Sequence, residues 1–125
     1  MLETRRLNSK DKVIITASLT GAVTTKKDNP NLPTQPEEIC ESALRCYEAG
    51  AAVVHIHVRD EQDNASMRFD IFEKTVGLIK KTGCPVLLNL TSSGGQGFSW
   101  EERIRPFQVL KPELASFDAG TMNWL

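Results

Sequence analysis

Four short runs of apolar and β-branched residues recur along this chain, and segments with the spacing of amphipathic helices separate them. The runs span residues 12–19 (KVIITASL), 51–58 (AAVVHIHV), 85–90 (PVLLNL) and 113–117 (ELASF). Strands of continuous apolar character are typical of parallel sheets that helices cover. The order β-α-β-α-β-α-β therefore predicts an α/β fold, either an open doubly wound sheet or a closed barrel.

The helical segments carry recognisable start and stop signals. Thr34 and Glu37 are predicted to form a capping box before the first helix, which should end at Gly50. The second helix is predicted over residues 69–81, and Ser99 is placed to cap the third. The intervening segment 20–33 is long for a plain connection, so it is expected to form part of a site.

Composition excludes several classes of function. The 125 residues form one predicted domain, 1–125, with a net charge of -1 and no basic stripe, which argues against nucleic-acid binding. The polar start and the lack of a run of about 18 apolar residues argue against a signal peptide or membrane span, so a cytoplasmic location is expected. Three cysteines without CxxC spacing predict reduced packing thiols.

The two histidines of the chain, His55 and His57, lie two residues apart at the C-terminal end of the second predicted strand. Alternation along a strand points both rings to one face. Two imidazoles supply two ligands of a Zn²⁺ site that keeps a position for substrate or water, although they suit other transition metals too. The alternative is a structural pair of hydrogen-bonded histidines. Two titratable rings at the end of a Val/Ile-rich strand cost core packing, which favours the metal site.

A turn of small residues follows the third predicted strand and precedes a helix. Its hydroxyls and amides are candidates for binding a carboxylate or phosphate, although such turns also occur for conformational reasons alone. The candidate substrate-binding residues of this turn are Thr91, Ser92, Ser93, Gly94 and Gly95.

Two further pairs of residues lie near the same strand ends. Ser116 and Asp118 face the same side at the end of the fourth strand. Arg59 and Asp60 are interpreted either as partners that orient the histidines or as a solvated ion pair.

Five segments, in this order, resemble the β-keto acid cleavage enzyme family. They are residues 15–22 (ITASLTGA), 29–33 (NPNLP), 55–59 (HIHVR), 90–95 (LTSSGG) and 111–123, which begins KPE. The resemblance implies a TIM barrel, a (β/α)8 fold of which this chain covers about the first four β-strands and three helices, as an N-terminal half. A complete barrel usually takes roughly 250 residues.

The resemblance also implies an activity and a site. Zn²⁺ would be held by His55, His57 and a glutamate from the second half, usually in a homo-oligomer. A β-keto acid and acetyl-CoA would become acetoacetate and a new acyl-CoA, with the catalytic base also in the second half. The Ser/Gly turn and Ser116 would meet the substrate. Where the aminohexanoate-cleaving member of the family carries a glutamate after Gly-Ala, this chain has Val23, which predicts a substrate without an amino group there.

Two other interpretations stay open. A half barrel exposes strand edges, so the chain is alternatively a non-catalytic binding or assembly module that pairs with itself or with a complementary second half. It is otherwise another TIM-barrel hydrolase that uses a strand HxH metal pair.

Overall fold

The described chain forms a parallel four-stranded sheet with helices between successive strands. A computed structural model describes residues 12–117. The sheet contains β1 (Thr16–Ser18), β2 (Val53–Ile56), β5 (Leu87–Leu90) and β6 (Leu114–Ala115). The connecting helices are α1 (Pro36–Glu48), α2 (Phe69–Lys81) and α3 (Trp100–Leu110). A small antiparallel hairpin of β3 (Val58–Arg59) and β4 (Ala65–Ser66) precedes α2.

The order of strands across the sheet is β1-β2-β5-β6, so each parallel strand lies beside the next one in the chain. A doubly wound sheet reverses direction at a switch point, whereas a barrel adds its strands in sequence. The predicted α/β class is confirmed, and the arrangement agrees with the first part of a (β/α)8 barrel.

One face of the sheet forms the core with the helices. Alternation along the strands puts Val54, Ile56, Leu88 and Leu90 on this face, and all four are buried. The helices cover them with apolar side chains, chiefly Ile39, Ala43, Phe72, Val76 and Ile79. The opposite face of the sheet therefore carries the remaining alternate residues, which include the histidine at position 55.

The strands are shorter than the sequence predicts, and the first is not buried. Regular pairing in the 12–19 run covers three residues, and Val13, Ile14 and Ile15 are 66%, 77% and 53% exposed. Within residues 12–117, β1 has a neighbour on one side, so the apolar residues before it have little to pack against. The 51–58 run also divides, because the chain leaves the sheet after Ile56 to form the hairpin.

The predicted capping box of α1 is wrong by one position. The Glu38 carboxylate accepts hydrogen bonds from the backbone amides of Thr34 (2.9 Å) and Gln35 (3.1 Å). Glu37 instead forms an exposed ion pair with Lys74 of α2 at 2.6 Å. The Ser99 cap is confirmed, since the Ser99 hydroxyl accepts from an amide in the first turn of α3.

Two other expectations are tested by the described residues. The three cysteines are free thiols that pack against the core, as predicted. Among the helices of residues 12–117, none is long and apolar enough to cross a membrane.

Candidate functional site

The register of the sheet aligns a polar row on the face away from the helices. Ser18 lies beside His55, and His55 lies beside Asn89, on three neighbouring strands. Directly aligned residues of parallel strands project to the same side. This row lies near the carboxyl ends of the strands, where barrels build their active sites.

The two histidine rings meet at this end of the sheet. His57 lies just beyond β2 rather than within it, yet its Nε2 atom is 3.1 Å from Nε2 of His55. The rings are nearly perpendicular, with 5.0 Å between their centroids and an interplanar angle of 73°. The sequence therefore predicts the juxtaposition of the two rings correctly. In residues 12–117, no third His, Cys, Asp or Glu completes a metal-binding group with them.

His57 is neutral at physiological pH. Burial, followed by the positive charges of His55 and Arg59, lowers the pKa of His57 to about 4. Its Nδ1 atom is buried and has no hydrogen-bond partner among the described residues. A neutral imidazole keeps one nitrogen lone pair, which is the form that binds metals.

Asn89 lies beside the histidine pair, and the sequence analysis did not predict this neighbour. Its Oδ1 atom lies 3.2 Å from Nδ1 of His55, on the side of the ring away from His57. The sequence did contain one indication of a role for Asn89, because its amide is a polar group within the apolar run PVLLNL. Its partner could not be found without the register between β2 and β5.

Arg59 takes neither of its predicted roles. It is 3% exposed, and its guanidinium donates to the backbone carbonyls of Gly21 (3.1 Å), Thr24 (2.8 Å) and Asp63 (2.8 Å). Among residues 12–117, Arg59 therefore fixes the start of loop 20–33 instead of hydrogen-bonding to a histidine or pairing with a carboxylate.

Asp60 is likewise not the partner of a histidine or of Arg59. Its carboxylate accepts from the backbone amides of Gln62 (2.9 Å) and Asn64 (2.8 Å). These bonds close the tip of the β3–β4 hairpin, so the role of Asp60 is local.

The Ser/Gly turn is tied to the end of β6. The Ser92 amide donates to the Ser116 hydroxyl at 3.0 Å, and the Ser92 hydroxyl donates to the Ser116 carbonyl at 2.7 Å. Two of the predicted substrate-binding residues are thus brought together from segments 24 residues apart. Asp118 lies outside the described residues.

Several amides of the turn are already bonded internally. Thr91 is 1% exposed, and its hydroxyl accepts from the amides of Ser93 (3.1 Å) and Gly94 (3.5 Å). Together with the Ser92 amide, these groups are not open donors for an anion. The Ser92 hydroxyl also donates already, to the Ser116 carbonyl. The half-buried hydroxyl of Ser93 is the better placed group, and substrate binding by this turn stays a prediction.

Arg103 of α3 holds the turn from the helix side. Its guanidinium donates to the carbonyls of Phe98 (3.1 Å), Ser92 (3.2 Å) and Gly95 (2.8 Å), and also to that of Ser93. One planar cation with five donors suits such a cluster of carbonyls. Both ends of the site, loop 20–33 and the Ser/Gly turn, are therefore fixed by an arginine that bonds to backbone oxygens.

Comparison with known proteins identifies the family. A family model described as beta-keto acid cleavage enzyme matches residues 12–125. The chain belongs to the β-keto acid cleavage enzyme family. The resemblance seen in the sequence motifs is thereby confirmed.

Relatives of known activity match most of this chain. It is 44% identical over 115 residues to the 3-keto-5-aminohexanoate cleavage enzyme of Acetoanaerobium sticklandii. This alignment covers 91% of this chain and 41% of that protein. The chain is 37% identical over 117 residues to the 3,5-dioxohexanoate:acetyl-CoA acetone transferase of Paraburkholderia graminis, covering 93% and 37%. The 3-oxoadipate:acetyl-CoA acetyltransferase of Cupriavidus necator matches at 34% identity, covering 89% and 38%. The chain thus spans about two fifths of the length of these relatives.

A solved structure supports the fold. The ternary complex of ObcA with a C4-CoA adduct and oxalate aligns with a TM-score of 0.63 and 28% identity, covering 70% of this chain and 23% of ObcA. The β-α units described above therefore recur within a larger protein.

Proposed function

We propose that this chain provides the zinc-binding, N-terminal part of an enzyme that cleaves a β-keto acid with acetyl-CoA. The acyl group of the keto acid would pass to CoA, while the acetyl group would join the remaining CH₂–carboxylate to give acetoacetate. The observation that carries the proposal is the 3.1 Å approach of the two histidine Nε2 atoms at the carboxyl end of a parallel sheet, in a member of this family.

The histidine pair suits a zinc ion. Two nitrogen ligands at 2.0–2.1 Å from zinc in tetrahedral geometry lie about 3.3 Å apart, close to the observed separation of the two Nε2 atoms. The low pKa of His57, about 4, keeps that ring uncharged at neutral pH, so one of its two nitrogens retains a lone pair. The third protein ligand and the catalytic base would come from outside residues 12–117, from a second half of the barrel.

Zinc bound here would act as a Lewis acid on the keto oxygen of the substrate. The residues of this chain would orient the rest of that molecule. The hydroxyls of Ser93 and Ser116 would donate to its carboxylate, whereas the Ser92 hydroxyl already donates to the Ser116 carbonyl and would hold the turn against the strand end. Arg103 would hold the same turn from the helix side. This assignment is supported by the Ser92–Ser116 hydrogen bonds, which join the turn to the strand end.

Val23 is proposed to face the variable end of the substrate. This residue is 83% exposed. The backbone before and after it is held by hydrogen bonds from Arg59 to the carbonyls of Gly21 and Thr24. An aliphatic side chain offers no charge to an ammonium group, so a keto acid without an amino group should be preferred. Preferential turnover of an amino-bearing β-keto acid would contradict this, and Val23→Glu should shift the preference toward such a substrate.

The first test is the metal content of the purified chain. Near-stoichiometric zinc should be found in the wild type and lost in His55→Ala, whereas Cys84→Ser, a matched change at a possible adventitious ligand, should retain it. Acetyl-CoA-dependent cleavage of a β-keto acid panel would follow, with acetoacetate as the measured product. Zinc that persists in His55→Ala would refute the site.

The second candidate is an assembly module, and the exposed apolar residues before β1 favour it. Val13, Ile14 and Ile15 would be covered by another chain or by a complementary half of the barrel. Native mass spectrometry separates a self-associating chain from one completed by a different partner. A monomer without metal would count against both candidates.

A further inference from the structure

Asn89 lies in an environment that an amide does not favour. It is the third residue of β5, and both of its strand neighbours, Leu88 and Leu90, are buried apolar side chains of the core. Asparagine is depleted in strands because its short amide competes for backbone hydrogen bonds. In this position it faces the other side of the sheet, where its aligned neighbour on β2 is His55.

The contact between the two side chains involves one ring nitrogen. Asn89 Oδ1 lies 3.2 Å from Nδ1 of His55, and the second nitrogen of that ring, Nε2, lies 3.1 Å from His57. A neutral imidazole carries a proton on one of its nitrogens and a lone pair on the other. Whatever fixes the proton on Nδ1 therefore leaves Nε2 bare.

Two proton arrangements satisfy these contacts. In the first, His55 Nδ1–H donates to Asn89 Oδ1 and His57 Nε2–H donates to His55 Nε2. The second reverses both bonds, with the amide of Asn89 donating to Nδ1 of His55. It requires a proton on Nδ1 of His57, which is buried and has no partner within residues 12–117. A buried N–H without an acceptor is rarer and more costly than a bare acceptor nitrogen, which favours the first arrangement.

We propose that Asn89 is a positioning residue that holds His55 as the Nδ1–H tautomer, with Nε2 free to bind the metal. The metal-binding consequence rests on the proposed function; the tautomer itself does not. His55 is then ready to bind, whereas His57 must move its proton from Nε2 to Nδ1 when a metal enters. Carbonyl or carboxylate partners commonly fix metal-binding histidines in this way.

The tautomers can be read directly by long-range ¹H–¹⁵N correlation spectra of the metal-free, ¹⁵N-labelled full chain at neutral pH. The chain has two histidines, so the spectrum of His57→Ala shows which ring signals belong to His55 and which to His57. We expect a protonated Nδ1 in His55 of the wild type. A protonated Nε2 in His55 would overturn the proposal, because the amide of Asn89 would then be the donor.

Three variants separate positioning from folding. Asn89→Leu removes the acceptor and should shift His55 toward the Nε2–H form. Asn89→Asp supplies another acceptor and should retain Nδ1–H. Ser18→Ala changes the aligned residue on the other side of His55 and should leave its tautomer unchanged. Retention of Nδ1–H in a folded Asn89→Leu protein would refute the role of Asn89, and if that variant does not fold, the wild-type and Asn89→Asp spectra decide.

Metal affinity provides the second measurement. Loss of an orienting partner typically weakens metal binding about 10- to 100-fold, so Asn89→Leu should bind Zn²⁺ that much more weakly than the wild type by isothermal titration calorimetry, while Ser18→Ala should not. Unchanged affinity in Asn89→Leu would refute the positioning role. Absence of binding in the wild type alongside a correct tautomer would instead refute the proposed function and leave the Asn89–His55 assignment standing.

Discussion

Replacing Gly94 by alanine should destabilise the protein through a contact between the Ser/Gly turn and Met67. Gly94 has φ of +59°, and a Cβ built on it would lie 2.3 Å from Sδ and 2.4 Å from Cγ of Met67. Met67 is itself buried in the core, so its side chain has little room to move away. The glycine therefore permits a close approach between the turn and the core.

The expected magnitude has two parts. A left-handed backbone costs a residue with a Cβ about 1–2 kcal/mol relative to glycine. Overpacking a buried contact costs about 1–3 kcal/mol more. Gly94→Ala should therefore lower the free energy of unfolding by about 2–5 kcal/mol. Gly97→Ala is the matched control, because Gly97 also has positive φ, +87°, but a Cβ added to it would have no atom of another residue within 4 Å.

Urea unfolding followed by far-UV circular dichroism measures both variants. Gly97→Ala should cost about 1–2 kcal/mol, the backbone part alone. In a Met67→Ala background, where the clashing atoms are gone, Gly94→Ala should cost no more than Gly97→Ala. If Gly94→Ala and Gly97→Ala destabilise the wild type equally, the steric argument is refuted and the turn does not pack on Met67 as described.

Two further predictions concern the turn and the first helix. Arg103→Lys should raise KM for the keto acid and speed amide hydrogen exchange in the turn, because a lysine cannot reach four carbonyls at once; Arg105→Lys, a matched change elsewhere on α3, should alter neither. Burial alone would raise the pKa of Glu38, but hydrogen bonds from Lys26 and two backbone amides outweigh it and lower that pKa to about 2. A lowered carboxyl pKa stabilises the fold above the ordinary value of 4.5 and loses that effect as pH falls toward 2. Because the carboxylate is 44% exposed, solvent screening leaves about 1 kcal/mol, so Glu38→Gln should flatten the stability profile below pH 4.5. Glu37→Gln should flatten it less, because the ion pair with Lys74 that lowers the pKa of Glu37 is exposed to solvent; equal flattening would contradict the cap.

Much of the architecture follows from short-range patterns. The helix predicted over 69–81 has those bounds in the structure, and the Ser99 cap forms as expected. These features depend on residues three or four positions apart, whose geometry is set by the helix itself. The same locality explains why one cap was misplaced. Thr34 and Gln35 are both able to precede a helix. The Glu38 side chain is held at the start of the helix by a hydrogen bond from Lys26, which lies 12 residues earlier in the preceding loop.

The sequence by itself determined the α/β class, the pairing of His55 with His57 and the family, because each lies in local spacing or in ordered motifs. Tertiary structure alone decided that Asn89 meets His55 across 34 residues, that Arg59 bonds to loop carbonyls and that Thr91 turns inward. The exposure of Val13, Ile14 and Ile15 was also decided there. Such contacts depend on the register between strands and on what covers each face, and neither quantity is encoded in the spacing of neighbouring residues.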